Sequence, residues 1–311
     1  MRAAIDAIAI CGPTSSGKSE IAVRVAEAIG GEIVNADSRQ VYRDMAVGTG
    51  APNEDMCRRV PHHLFGFVDP CVRYSAGAYV ADAVSAVRDI HARGRLPIVV
   101  GGTGLYVEAL GGTMPMDRPV ADDAVRDRVR REAAVHPDEF LHGWLGAIAA
   151  AHALRVDKRD RYRTLRALES ALAVRAGSAS PHHRIASGQP RVAMRVALLV
   201  VDGVTLETRV RRRVRAMFAD GLVEEAVAIW RRCPDAPALT GLGFAEALAW
   251  FRGESLRAQA VDATIARTLR YAKRQRAWFR RIRDGVEVEA NDPAAAAAAI
   301  ERLARESARS T

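Results

Sequence analysis

Ile8 to Glu20 read IAICGPTSSGKSE, an apolar run that breaks into a glycine-rich turn and ends in Lys-Ser. Gly12, Gly17, Lys18 and Ser19 satisfy the spacing GxxxxGK[ST], a loop whose backbone amides converge on phosphate oxygens. The lysine neutralises anionic charge there, and the following hydroxyl can ligate Mg²⁺. Such spacing has weight only between a strand and a helix. Ala7 to Ile10 supplies the strand, and SEIAVRVAEAI from Ser19 to Ile29 has helical spacing, so the loop aims bound polyphosphate at a helix N-terminus. Gly12, Pro13, Thr14, Ser15, Ser16, Gly17, Lys18 and Ser19 are therefore the candidate phosphate site, with Ser19 the candidate metal ligand.

The rest of the chain must supply a sheet for that first strand. Ile5 to Cys11, Glu32 to Ala36, His63 to Val68 and Leu96 to Val100 read as strands, and the amphipathic segment from Ser75 to Arg93 closes at Gly94 before the last of them. This alternation predicts a parallel sheet flanked by helices. From Asp122 to about Gly177 the pattern is helical with no strand signal; GSASPHHRIASGQP then reads as a loop, and RVAMRVALLVVDG as a strand returning to the sheet. From Thr205 onward the pattern is again mostly helical. The expected organisation is an α/β core of residues 1–117 and 190–311 with a helical insertion at 118–189.

Charge is distributed unevenly. From Arg155 to Arg215 there are 15 Lys or Arg against 5 Asp or Glu, within a chain whose total net charge is only +9. A second run, RTLRYAKRQRAWFRRIR from Arg267 to Arg283, has no acid and carries Tyr271, Trp278 and Phe279. Concentrated cations with interleaved aromatics point to nucleic acid. No apolar run approaches the roughly 20 residues that a membrane helix needs. The N-terminal apolar segment contains Asp6 and runs directly into the phosphate loop, so it reads as a core strand and not a signal peptide, and a cytoplasmic protein with no membrane contact is expected. Cys11, Cys57, Cys71 and Cys233 lack CxxC spacing, and the pairs His62-His63 and His182-His183 lack a third ligand at a familiar spacing, so neither set reads as a metal site.

Phosphate loops serve kinases, switch and motor hydrolases and some transferases, and a second acidic site separates them. Hydrolases of this kind end an apolar strand in an Asp that helps hold Mg²⁺. Here LPIVVGGTGLY places Gly101-Gly102-Thr103 where that acid would stand. The strand that ends in an acid is EIVNADSRQVY, which puts Asp37 at the carboxyl end of a strand, in the crevice where open α/β sheets bind ligands. An Asp that only caps the next turn is the alternative.

GPTSSGKS, DSRQVY, PHHL, YSA, RGRLPIVVGGTGLY, RALE and AKRQ, in this order, resemble the tRNA dimethylallyltransferases, from the first strand to about Phe279. The resemblance implies a P-loop NTPase-like core that transfers a five-carbon allylic group from dimethylallyl diphosphate to N6 of the adenosine 3′ to the anticodon. It implies Mg²⁺ at Ser19 and a helical insertion gripping the anticodon arm; a monomer is expected, though the residues themselves do not specify an oligomeric state. The loop would hold a leaving group, with the amides of Thr14 to Ser19 and Lys18 stabilising charge on the departing oxygen. By the same resemblance the Thr14 hydroxyl lies near the bridging oxygen, Arg213 contacts the diphosphate, and Asp37 takes a proton from the adenine amine. The positions matching tRNA contacts are Asp37, Ser38, Arg39, Gln40, Thr103, Arg126, Tyr162, Arg163 and Arg166.

The chain departs from the family pattern at Ala51, where GTGAP replaces GTAKP, at Arg159-Asp160, where Asn-Asp is common, at Tyr162, which replaces a frequent Gln, and at Ala277-Trp278, where Thr-Trp is usual. Two other readings share parts of the pattern: an adenylate dimethylallyltransferase, with the same core chemistry, and a small-molecule kinase, sharing only the phosphate loop.

Overall fold

A computed structural model describes residues 6–114, 123–177 and 192–308. Ile5, most of the expected loop after Gly177, the His182-His183 pair and the expected boundaries at 117/118 and 189/190 lie outside the described residues. By internal packing the chain divides into two compact units, Met1–Thr113 with Pro190–Thr311, and Met114–Gln189.

The first unit is built on β1 (Ala7–Cys11), β2 (Glu32–Asn35), β3 (His62–His63), β4 (Pro97–Gly101), β5 (Met194–Val200) and β6 (Val286–Glu289). They form one sheet in the order β3-β2-β4-β1-β5-β6, and every neighbouring pair is parallel. All residues of β1 and β4 are buried, which explains their continuous apolar sequences: the central strands of a parallel sheet are covered on both faces. The fold is α/β, a P-loop NTPase-like parallel sheet flanked by helices.

Helix α1 (Lys18–Ile29) starts after Gly17, held at φ +89°, and closes at Gly30, while the Gly31 N–H returns to the Ala26 carbonyl at 2.8 Å. Ile21 and Val25 of α1 share a buried cluster with Ala296, Ile300 and Ala304 of the last helix. Between β2 and β4 lie α2 (Ala46–Thr49), α3 (Glu54–Arg59) and α4 (Ala76–Ala92); after β4 comes α5 (Gly104–Leu110). The Ser75 hydroxyl caps α4 by accepting from the Ala78 N–H at 3.1 Å, and Tyr79, Val80, Ala83, Val87 and Ile90 form its buried face.

Two elements differ from the sequence reading. The strand expected from His63 to Val68 stops after His63, because Leu64 (φ +64°) and Gly66 (φ +57°) turn the chain out of the extended region. The Leu64 carbonyl accepts from Asn35 Nδ2 at 2.9 Å, and pairing resumes only as a single bridge between Tyr42 and Val68. The tail also adds a strand, β6, where only a helical pattern was legible. Its sequence VEVE is four residues long and lies at the sheet edge, with both acids exposed, so it carries little apolar signal.

The second unit contains α6 (Asp123–Val135), α7 (Asp138–Ile148), α8 (Ala150–Ala153) and α9 (Arg161–Arg175). Val129, Leu141, Leu145, Val156, Ala167 and Leu168 form its own core. Asp160 caps α9 by accepting from the Arg163 N–H at 3.0 Å. The first unit resumes through β5 into α10 (Gly203–Ala219), α11 (Leu222–Arg232), α12 (Phe244–Phe251), α13 (Arg257–Phe279) and α14 (Pro293–Ala308).

Candidate active site

The phosphate loop bends twice into the left-handed region, at Ser15 (φ +63°) and Gly17 (φ +89°). Turns of this kind orient successive N–H groups inward as an anion-binding nest. Not all six amides expected at the leaving group are open to it. The Thr14 N–H donates to Gln275 Oε1 at 2.8 Å, and the Ser16 N–H to the Pro13 carbonyl at 3.2 Å. Ser15, Gly17, Lys18 and Ser19 remain to meet an anion. Lys18 Nζ donates to the carbonyls of Gly12 (3.0 Å) and Pro13 (2.7 Å). Burial pulls its pKa down to about 8, against the upward pull of Asp37.

Arg213 reaches this loop from α10. Its Nη1 donates to the Thr14 hydroxyl at 3.2 Å and its Nη2 to the Thr49 carbonyl at 2.7 Å. Burial lowers its pKa, and Asp37 opposes the shift. Thr49 is held in turn, since Glu225 of α11 accepts from the N–H groups of Val47 (2.8 Å) and Gly48 (2.9 Å) at the start of α2. Gln40 Nε2 donates to the carbonyls of Thr49 (3.2 Å) and Gly50 (2.9 Å).

Asp37 follows β2, and its local geometry is that of an Asx turn. One carboxylate oxygen accepts from the Arg39 N–H at 2.9 Å, and the Asp37 N–H donates to Asn35 Oδ1 at 2.8 Å. Its turn role is therefore real, yet the side chain also lines the same cleft as the phosphate loop, a cavity of about 440 Å³ with Thr14, Lys18, Ser19, Gln40 and Arg213 on its walls. The neighbouring Ser38 N–H donates to Thr103 Oγ1 at 2.9 Å, and that hydroxyl donates to Ser38 Oγ at 3.2 Å.

The two glycines that stand in place of the hydrolase acid have a steric reason. A Cβ on Gly101 would overlap the Ala36 backbone, and one on Gly102 would overlap Gln275 Nε2. The approach of β4 to β2 that brings Thr103 onto Ser38 requires a residue without a side chain there.

Comparison with known proteins decides among the phosphate-loop classes. The family model described as IPP transferase matches residues 40–282, and one described as isopentenyl transferase matches residues 5–61. A tRNA dimethylallyltransferase from Geobacter sulfurreducens is 41% identical over 279 residues, 88% of each chain. Another from Anaeromyxobacter dehalogenans is 41% identical over 300 residues, covering 95% of this chain and 99% of that one.

The chain belongs to the tRNA dimethylallyltransferase family.

Among solved structures, the full-length tRNA isopentenylpyrophosphate transferase from Bacillus halodurans superposes with a TM-score of 0.70 at 29% identity, covering 96% of this chain and 95% of that one. A eukaryotic dimethylallyltransferase acting on tRNA has the same fold, with a TM-score of 0.73 at 23% identity, over 92% of this chain and 74% of that one.

Of the positions matched to this transferase family, the structure brings Thr14, Lys18, Ser19, Asp37, Gln40 and Arg213 to one cleft, with Ser38 and Thr103 bonded to each other beside it. Arg126, Tyr162, Arg163 and Arg166 lie in the second unit, on α6 and α9. Tyr162 is 74% exposed, whereas Arg166 pairs with Glu169 and Arg163 lies 3.3 Å from Asp160. Arg161 is an internal brace of this unit, bonded to the carbonyls of Ala133 and His136 and to Asp138. Sequence reasoning missed Arg209, which lines the cleft and donates to the carbonyls of Ala290 and Asn291, both at 3.1 Å. Its signal was present: Arg209 and Arg213 are four apart on α10 and so share a face.

Proposed function

We propose that this protein transfers a dimethylallyl group from dimethylallyl diphosphate to N6 of the adenosine 3′ to the anticodon of tRNA, releasing diphosphate. One observation supports the reading beyond family membership. The phosphate-loop cations and the Asp37 carboxylate share one cleft, so a leaving group and a proton acceptor are served side by side. In the step, the allylic carbon–oxygen bond breaks, the carbon–N6 bond forms, and the N6 proton passes to Asp37. The open amides of Ser15, Gly17, Lys18 and Ser19 receive the charge that grows on the departing oxygen, together with the Lys18 ammonium and Arg213. Thr14 Oγ1 accepts from Arg213, which leaves its own proton free to donate to the bridging oxygen of a bound donor. One oxygen of Asp37 is engaged by Arg39, which leaves the other to accept the proton.

Ser19 lines the cleft beside the open amides, and no cluster of three or more His, Cys, Asp or Glu able to hold a metal exists among the described residues. The Ser19 hydroxyl would hold a Mg²⁺ ion here, and the ion would add neutralising charge to the leaving group. The acceptor enters as an unstacked base, because N6 within a stacked loop is poorly reached. We assign Arg126, Tyr162, Arg163 and Arg166 of the second unit to the anticodon arm, with exposed Tyr162 suited to stacking and the arginines to phosphates. The protein is taken to act as a monomer in the cytoplasm; among the described residues no helix is long and apolar enough to cross a membrane.

The test is acceptor choice. The protein is incubated with labelled dimethylallyl diphosphate and tRNA, AMP or ATP. Label in tRNA alone is the expected result; label in AMP or ATP would overturn the tRNA reading.

A further inference from the structure

We propose that Gln275 is a positioning residue for this transfer, joining the donor half of the cleft to the acceptor half; the proposal rests on the transferase reading above. Gln275 lies on α13, 4% exposed. Its Oε1 accepts from the Thr14 N–H at 2.8 Å, and its Nε2 donates to the Gly102 carbonyl at 2.8 Å. The amide can be oriented only this way, since an N–H cannot accept and a carbonyl cannot donate.

Each bond ends one step from the reacting groups. Thr14 carries the hydroxyl that meets Arg213, and Gly102 precedes Thr103, which holds the Ser38 N–H next to Asp37. A continuous chain of short contacts thus runs from the leaving-group hydroxyl through one buried amide to the segment bearing the proton acceptor. The geometry is also crowded, because a Cβ on Gly102 would overlap Gln275 Nε2. Gln275 thus braces the donor loop against the acceptor segment just beyond the ends of the paired strands β1 and β4. For a bond-forming reaction that requires near-attack geometry, a misplacement of about 1 Å can cost about 10²-fold in rate. Gln275 is not in the cleft lining, so it acts through Thr14 and Gly102 and not on the substrates.

The test uses the full-length protein with dimethylallyl diphosphate and tRNA. Gln275→Met keeps the volume but loses both bonds. Its kcat should fall about 10²-fold while KM for donor and for tRNA stays within a few-fold of the parent. Gln275→Glu adds a signature that a general packing role would not give. Protonated, the carboxyl both accepts from Thr14 and donates to Gly102; ionised, it can only accept and faces a carbonyl. Burial raises the pKa of such a carboxyl, so its rate relative to the parent should recover as pH falls. Lys18 and Cys11 at the braced loop, Arg213 behind Thr14, Asp37 beside Ser38 and Tyr271 beside Thr103 are ionisable groups around this junction; all are present in the parent, so the ratio removes the titration they share with it. A parent that transfers nothing to tRNA overturns the transferase reading and this proposal with it. An active parent with a flat glutamate-to-parent ratio across pH, or a folded methionine variant at parental kcat, overturns the positioning role alone. Where the methionine variant does not fold, the pH ratio of the glutamate variant is the deciding measurement.

Discussion

Arg213 Nη1 meets the Thr14 hydroxyl at 3.2 Å across 199 residues of sequence. The hydroxyl oxygen is the acceptor, so its proton is free for a third atom. If that atom is the bridging oxygen of the donor, Thr14→Val should lower kcat by about 10²- to 10³-fold, the usual cost of removing one donor from a developing anion. Thr14→Ser should retain most of the rate. Equal rates for the valine and serine variants would remove this hydroxyl from the mechanism.

Asp37→Asn keeps an oxygen for the Arg39 N–H and so keeps the turn that follows β2. It abolishes proton acceptance, and single-turnover transfer should slow by about 10²- to 10⁴-fold with tRNA binding nearly unchanged. Transfer within a few-fold of the parent would assign Asp37 to its turn alone.

Lys18 yields a prediction in pH. Its pKa in the folded chain is pulled from 10.5 down to about 8 by burial. Between these values the unfolded chain holds more protons than the folded one, so the donor-free stability contribution of this group rises as pH climbs through the window. A diphosphate favours the charged amine, so donor binding in the same window should take up a proton. Calorimetric titration in buffers of different ionisation enthalpy measures this uptake. It should vanish in Lys18→Ala, whose tRNA binding should match the parent. Parental proton uptake in the alanine variant would place the titration elsewhere.

The arginines of α9 divide into two kinds. Arg161 is bonded to two carbonyls and an acid within its own unit, so Arg161→Ala should lower the melting temperature and leave the salt dependence of tRNA binding alone. Arg163 pairs with the cap residue Asp160 and Arg166 with Glu169 one turn on, and both arginine side chains are substantially exposed, although Glu169 is largely covered. Exposed pairs contribute only about 0–1 kcal/mol. Replacing both by Ala should therefore barely change stability, but lower the slope of log affinity against log salt by roughly 0.7–0.9 for each tRNA phosphate that is no longer neutralised. A lower melting temperature with an unchanged slope would make them scaffold residues.

The phosphate loop, the strands at β1 and β4 and helices α1 and α4 were legible in the sequence because each is specified locally. Continuous apolar runs mark strands covered on both faces, and glycines and a capping serine mark the helix ends. Asp37 could be singled out for the same reason, as an acid closing an apolar strand. The alternation of these elements was enough for a parallel sheet. The motif resemblance indicated the family, since seven short stretches in fixed order carry far more information than the loop alone.

Tertiary structure alone decided what those residues do to one another. β3 ends where the chain turns at Leu64 and Gly66, a turn in which Asn35 holds the Leu64 carbonyl, and β6 pairs along the edge that β5 offers. The Thr14 amide reads as a phosphate ligand in the sequence, but Gln275, far along the chain, occupies it. Arg161 and Arg166 look alike as charges in one helix, yet one is bound into a fold and the other is paired at a surface. Periodicity and turn chemistry are properties of neighbouring residues, so a sequence displays them directly. A hydrogen bond between residues hundreds of positions apart is set by how the sheet and its helices pack, and no local pattern encodes it.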